Sequence, residues 1–152
     1  MEYERSFRIA APADVVWRVM SDVEQWHTWT ASIRSIEITD PGAAEGGEPL
    51  GLGGVATVHQ PGFPKAEWTV SAWRPGRSFT WESPAPGVHT VGVHSVEPDG
   101  DAASTATLAI RQTGPLGAVM GVLFGRRTRR YVDLEAAGLT SRAEEMARTG
   151  SR

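Results

Sequence analysis

Apolar and polar residues alternate along 3–10, with Tyr3, Arg5, Phe7 and Ile9 on one side, the period-two pattern of a half-buried strand. Ala11-Pro12-Ala13-Asp14-Val15-Val16-Trp17 breaks that rhythm. Proline suits the first turn of a helix, where its missing N–H has no partner to lose, and Val16, Trp17 and Met20 then share one side. A second short helix is predicted next, in which Trp26 and Trp29, three apart, lie on one face. Strand pattern returns over 33–39. Residues 40–54 hold six glycines and two prolines and read as a loop capable of moving.

Four further strands are predicted over 55–60, 66–73, 78–83 and 88–97. Their separators, Pro61-Gly62-Phe63-Pro64, Pro75-Gly76 and Pro84-Ala85-Pro86-Gly87, are turn chemistry, which implies antiparallel hairpins. Pro98-Asp99-Gly100-Asp101 turns the chain into a last strand, 105–113. Beyond Gly114-Pro115 the spacing becomes three and four, through Leu116, Met120, Leu123, Arg127, Tyr131 and Leu134. A helix reaching about Ala147 would span roughly 45 to 50 Å. The order of strand, two short helices, six strands and one long helix predicts an α+β fold, an antiparallel sheet with helices gathered on one face. One domain is expected over 1–148, with a flexible tail over 149–152. Two tryptophan-bearing helices set after a single strand suggest a plug in the mouth of a curved sheet that encloses something.

Strand parity sorts side chains that would face such an interior. Ala56, Val58 and Gln60 face in on the third strand. Trp68, Val70 and Ala72 do so on the fourth, leaving Trp73 outside or at an edge. Phe79, Trp81 and Ser83 share a face on the fifth, and Ala106, Leu108, Ile110 and Gln112 on the last. The sixth strand is ambiguous. Apolarity favours His89, Val91, Val93 and Ser95, whereas Gly92, in the set with Thr90, His94 and Val96, would leave room for a ligand. The aromatic residues fit two readings, the walls of a ligand cavity or the filling of an ordinary core.

A length of 152 residues is enough for one well-buried core. The formal charge of −3 and pI near 5.8 give no reason to expect nucleic-acid binding. With no cysteine, disulfides and thiolate metal sites are excluded. The apolar stretch 118–124 is interrupted by Gly121 and falls far short of the roughly 20 residues of a membrane span. Met1-Glu2-Tyr3-Glu4-Arg5 lacks the charged-then-apolar order of a signal peptide, so a cytoplasmic protein is expected.

Among the histidines, His27 and His59 are expected to be exposed. His94, if inward, could move protons near neutral pH, although no titrating partner is visible beside it in the sequence. No metal-ligand spacing is present, because His89 and His94, five apart, fall on opposite faces of a strand. Ser71 and Ser83 lack the His and Asp partners that activate a nucleophile, and Gly51-Leu52-Gly53-Gly54 lacks the lysine and setting of a phosphate loop. Arg126, Arg127, Arg129 and Arg130 follow an apolar stretch. They suit an anionic ligand head, a membrane surface, or simply a solvated helix face, with Arg127 alone on the inward stripe.

Ala11-Pro12 before Val16-Trp17, the 22–26 segment, the Pro75-Gly76-Arg77 turn ahead of Phe79 and Trp81, and the long terminal helix together resemble the START-type helix-grip superfamily, also called SRPBCC. That superfamily includes the birch-pollen allergen and the polyketide cyclase/dehydrase family. The resemblance implies a curved sheet of about seven strands wrapped around the last helix, and it turns His94 inward, where family members often carry a large side chain. Aromatase/cyclases of the superfamily carry a tryptophan, then a serine and an arginine, on the inner face of the fourth strand. Trp68 matches the first, whereas Val70 and Ala72 replace the other two. Trp26 matches a cavity tryptophan, but Ile33 stands where a tyrosine would follow.

The function implied is binding of a small hydrophobic or polycyclic molecule, polyketide- or lipid-like, with no cofactor, by a monomer or homodimer. Its lining would be Trp26, Trp29, Val58, Gln60, Trp68, Val70, Phe79, Trp81, Gly92, Leu108, Ile110, Met120, Leu123 and Arg127. Two alternatives stand beside it: a cyclase or dehydratase in which His94, Gln112 and Tyr131 guide enolisation or water loss, and a protein-interaction module resembling chaperone activators.

Overall fold

The Pro/Gly separators form the hairpin turns, and at Gly76 and Gly87 the backbone takes φ of +77° and +78°, a conformation that only glycine adopts without strain. The computed structural model describes residues 1–150. Its strands are β1 (Glu2–Ile9), β2 (Ser35–Asp40), β3 (Val55–His59), β4 (Ala66–Arg74), β5 (Ser78–Ala85), β6 (Val88–Pro98) and β7 (Ser104–Thr113). They form one antiparallel sheet in the order β1-β7-β6-β5-β4-β3-β2. β1 and β2 are therefore opposite edges, and the chain between them must cross the sheet.

That crossing is made by α1 (Ala13–Ser21) and a 3₁₀ helix (Val23–Thr28). Pro12 sits at the N-cap, one position before the first turn, and its carbonyl accepts from the N–H groups of Val15 and Val16 at 3.1 and 3.2 Å. Val16, Met20 and Val23 are fully enclosed beneath the crossing. The 40–54 segment is a loop, as its glycines require. It is tied down at its end, where Leu50 is fully buried and Gly53 N–H and Gly54 O bond to the backbone of Val70 at 2.9 and 2.8 Å.

The last helix, α2 (Gly117–Thr149), packs on the concave side of the sheet. It runs to Thr149, two residues past the predicted end, and Gly150 N–H closes it on Met146 O; the remainder of the expected tail lies outside the described residues. Its buried face is Gly117, Gly125, Thr128, Val132, Ala136, Leu139 and Ala143, roughly a third of a turn from the stripe predicted through Leu116, Met120, Leu123, Arg127 and Tyr131. Small residues let a helix approach a concave sheet closely, so the large apolar side chains are displaced to the flank and to solvent.

A β-bulge in β4 alters the expected parity. Pairing with β5 shifts between Val70 and Ala72, so Ser71 is the extra residue and the strand beyond it changes face. Trp73 thereby turns inward, packing at 5.3 Å from both Trp17 and Phe79, while Ala72, predicted inward, is exposed. Phe79 is fully buried at the centre of this cluster, where enclosing a side chain of that size contributes about 1.5–3 kcal/mol.

Candidate functional site

Between the inner face of β3–β7 and the first half of α2 the core opens into a cavity of about 240 Å³. Trp26, Trp68 and Trp81 form its aromatic wall, with ring centroids 5.6 Å apart for Trp26 and Trp81 and 5.5 Å for Trp68 and Trp81. The indole N–H of Trp26 donates to Met20 O at 3.1 Å, so this ring offers the cavity only its apolar and π surface. Leu108 and Ile110 from β7, Val58 from β3 and Met120 from α2 supply aliphatic wall. Gln60, Thr90 and Gln112 add polar points.

β6 presents the face that carries His94, against the bias of its apolar residues: His94 and Val96 are buried, and Val91 and Val93 half-buried. The imidazole stacks on Phe79, with centroids 4.6 Å apart and planes 9° from parallel, and its Nε2 lies 3.0 Å from Glu135 Oε1. Its Nδ1 is buried without a hydrogen-bond partner. Glu135, whose side chain is 13% exposed, lines the same cavity. The titrating partner that the sequence hides is thus a helix residue, distant in the chain from His94. Its signal was the four-residue step from Tyr131, which sets both on one flank of α2. His89, on the opposite face of β6, pairs instead with Glu82 at 2.6 Å. There Glu82 is held below the usual carboxylate range, first by the Ser71 hydroxyl and then by His89.

Gly92 lies in the wall, but the room it leaves is taken by protein. A Cβ there would stand 3.2 Å from Trp81 Cδ1 and Nε1, so the glycine serves to let that indole lie across β6. Val70 and Phe79 sit one layer back, in closed core, since β4 and β5 carry them beyond the cavity toward Trp17. Trp29 packs on Trp26 at 5.7 Å but faces an outer groove with Arg142, its carbonyl set against Gly138 of α2. Leu123 is 67% exposed, on the outward side of α2.

One rim of the cavity comes from a segment the sequence marks only as a turn. Phe63 and Pro64 line it; Phe63 meets Tyr131 edge-on at 5.9 Å. The Tyr131 hydroxyl donates to Pro61 O, and Arg127 donates to Gly62 O at 3.2 Å while lying 5.6 Å over the Phe63 ring. Arg127 therefore clamps the rim without lining the cavity. The larger outer groove, about 740 Å³ between α1, the 3₁₀ helix, residues 46–49 and the second half of α2, is open to solvent and mixes Arg18, Asp22, Glu48 and Arg142. Asp22 is pushed upward there by burial and by Glu24. Among the described residues no group of three or more His, Asp and Glu is arranged to hold a metal ion.

A family model described as "Polyketide cyclase / dehydrase and lipid transport" matches residues 1–144. Similar solved structures include the Zhui aromatase/cyclase from Streptomyces sp. R1128, at 19% identity and TM-score 0.67, covering 100% of this chain and 96% of that one. The di-domain ARO/CYC BexL from the BE-7585A biosynthetic pathway is similar at 19% identity and TM-score 0.67 over 96% of this chain, which spans only 47% of that protein. Norcoclaurine synthase from Thalictrum flavum, in complex with dopamine and hydroxybenzaldehyde, is similar at 14% identity and TM-score 0.68, covering 93% of this chain and 84% of that one. No curated protein matches at the level of sequence. At these identities the structural likeness speaks for the helix-grip fold alone, and the match along almost the whole sequence carries the assignment: the chain belongs to the polyketide cyclase/dehydrase and lipid transport family.

Proposed function

We propose that this protein binds a small, flat hydrophobic molecule in the cavity between sheet and α2. The observation that carries the reading is the wall itself, three indoles with Leu108, Ile110 and Met120, interrupted by polar groups only at a few points. About 240 Å³ corresponds to roughly eight water volumes, so the ligand is a compact ring system or short chain, and a larger polycycle would require the rim at Phe63 to move. The similar structures of aromatase/cyclases and of an enzyme holding dopamine and hydroxybenzaldehyde support an aromatic ligand. Native mass spectrometry of freshly isolated protein, followed by titration with naphthol-sized probes, tests this. A retained or saturable ligand that quenches tryptophan fluorescence is expected, with binding weakened about tenfold or more by filling the cavity through Ile110→Trp. Failure of every aromatic probe to bind would overturn the reading.

The His94–Glu135 pair favours a second reading, cyclase or dehydratase chemistry. With His94 Nε2–H donating to it, the Glu135 carboxylate, which lines the cavity, can take a proton from carbon next to a carbonyl, the electron pair passing to the carbonyl oxygen, where the Gln112 amide can donate. The proton then held on Glu135 can pass to a β-hydroxyl, whose C–O bond breaks as the electron pair returns from the oxygen, so that water leaves. Tyr131 contributes only if its hydroxyl leaves Pro61 O. Unchanged turnover of a bound β-hydroxyketone in His94→Ala would remove this reading and leave ligand binding intact.

A further inference from the structure

The first turns of α2 do something unusual for a helix packed on a sheet: Leu116, Val119, Val122 and Leu123 are exposed, Val122 and Leu123 by 86% and 67%. The next turns place Arg126, Arg129 and Arg130 on the same outward side, at three- and four-residue steps from those apolar positions. The three arginines border one shallow concavity with Asp133 and Leu134. Asp133 is already engaged by Tyr3 and Arg5, and none of the three is ion-paired among the described residues. In a chain of net charge −3 this is a local concentration of positive charge, set directly behind an apolar tip.

We infer that this end of α2 docks on an anionic phospholipid bilayer. The axial order fits the depth profile of such a surface. Residues 116–123 extend about 10 Å along the helix, the depth to which interfacial apolar side chains enter the acyl boundary, and the arginines follow at the level of the phosphates. Among the described residues no helix is long and apolar enough to cross a membrane, so the contact is peripheral. A second copy of the chain suits the face less well, because it would bring the same unpaired arginines, and Asp133, the carboxylate that borders them, is engaged by Tyr3 and Arg5. Met120 and Tyr131, on the flank of the same turns, line the cavity, so docking would turn the Phe63 rim toward the lipid, from which an apolar ligand could be taken up. The docking itself does not depend on the ligand proposed above.

Flotation with vesicles of phosphatidylcholine, alone or with about one third phosphatidylglycerol, tests the inference. The wild type is expected to partition about tenfold more onto the anionic vesicles, with the excess lost as salt approaches about 0.5 M. Val119→Asp/Val122→Asp and Arg126→Glu/Arg130→Glu are each expected to abolish it while keeping the wild-type melting temperature and probe affinity in solution. Equal partition onto both vesicles, or unaltered flotation of the arginine variant, would overturn docking. So would a wild-type dimer in solution that the valine variant converts to monomer with no flotation, which would assign the face to a second copy.

Discussion

His94 and Glu135 meet across the cavity, one from β6 and the other from α2, with Nε2 and Oε1 3.0 Å apart. The bond joins sheet to helix where the imidazole is otherwise enclosed by Phe79, Trp26 and Trp81. Its Nδ1 already lacks a partner, so no alternative bond is at hand to compensate for a loss at Nε2. Glu135→Ala is expected to cost about 1–3 kcal/mol in urea denaturation, and Glu135→Gln less than half as much, because the amide oxygen still accepts. A cost within about 0.5 kcal/mol for the alanine variant would show that the bond does not hold helix to sheet.

A second tie between sheet and helix gives stability a pH dependence. Asp133 accepts from the Tyr3 hydroxyl at 2.7 Å and from Arg5 at 2.9 Å, and these partners hold its carboxyl below the usual range, the tyrosine bond contributing most. A folded value below the unfolded value, about 3.9, means stabilisation present above that pH and lost as pH falls through the folded value. The same bond raises Tyr3, whose contribution is present at neutral pH and lost as pH rises above the ordinary tyrosine range. Arg5 and Asp133 are 45% and 43% exposed, so solvent screening keeps the effect small. Asp133→Asn is expected to lose less than about 1 kcal/mol at pH 7, the difference from wild type shrinking below about pH 4. A gap that widens on acidification would contradict the assignment.

Trp73 tests the bulge in β4. Unbroken alternation from Trp68 would turn it outward, where Trp73→Ala would change stability by no more than about 0.5 kcal/mol. Packed between Trp17 and Phe79, it should cost about 2–4 kcal/mol, somewhat below a fully buried tryptophan because the ring is half-exposed. Ala72→Lys, one residue away on the outer face, should be nearly neutral.

The strands, their antiparallel order and both crossing helices were legible because alternation and Pro/Gly turns are local signals. The bulge was not, since nothing about Ser71 announces that two residues of β4 will face one of β5. The tryptophans pointed to an interior, yet periodicity could not separate Trp26, Trp68 and Trp81, at the cavity, from Val70 and Phe79, one layer deeper. Glu135 was hidden because a bond between positions 94 and 135 depends on the rotation of α2, and apolar spacing misjudged that rotation. Large residues dominated the pattern, whereas close packing selected Gly125, Thr128, Ala136 and Ala143.

Two substitutions on α2 test what its first and second halves face. Leu123→Ala, on the predicted stripe, should alter stability by no more than about 0.5 kcal/mol, since the side chain is already in water. Gly138→Ala would raise intrinsic helix propensity by about 1 kcal/mol on an exposed helix. Here an added Cβ would clash with the carbonyl oxygen of Trp29, which is backbone and cannot rotate away. Either α2 or the segment after the 3₁₀ helix must shift, and because Trp29 packs on Trp26 the displacement reaches the cavity wall. The expected outcome is a loss of about 2 kcal/mol or more, together with altered near-ultraviolet circular dichroism from the tryptophan cluster. A stabilised Gly138→Ala would mean that α2 does not approach the Trp29 backbone closely, and a strongly destabilised Leu123→Ala that the predicted stripe faces the sheet after all.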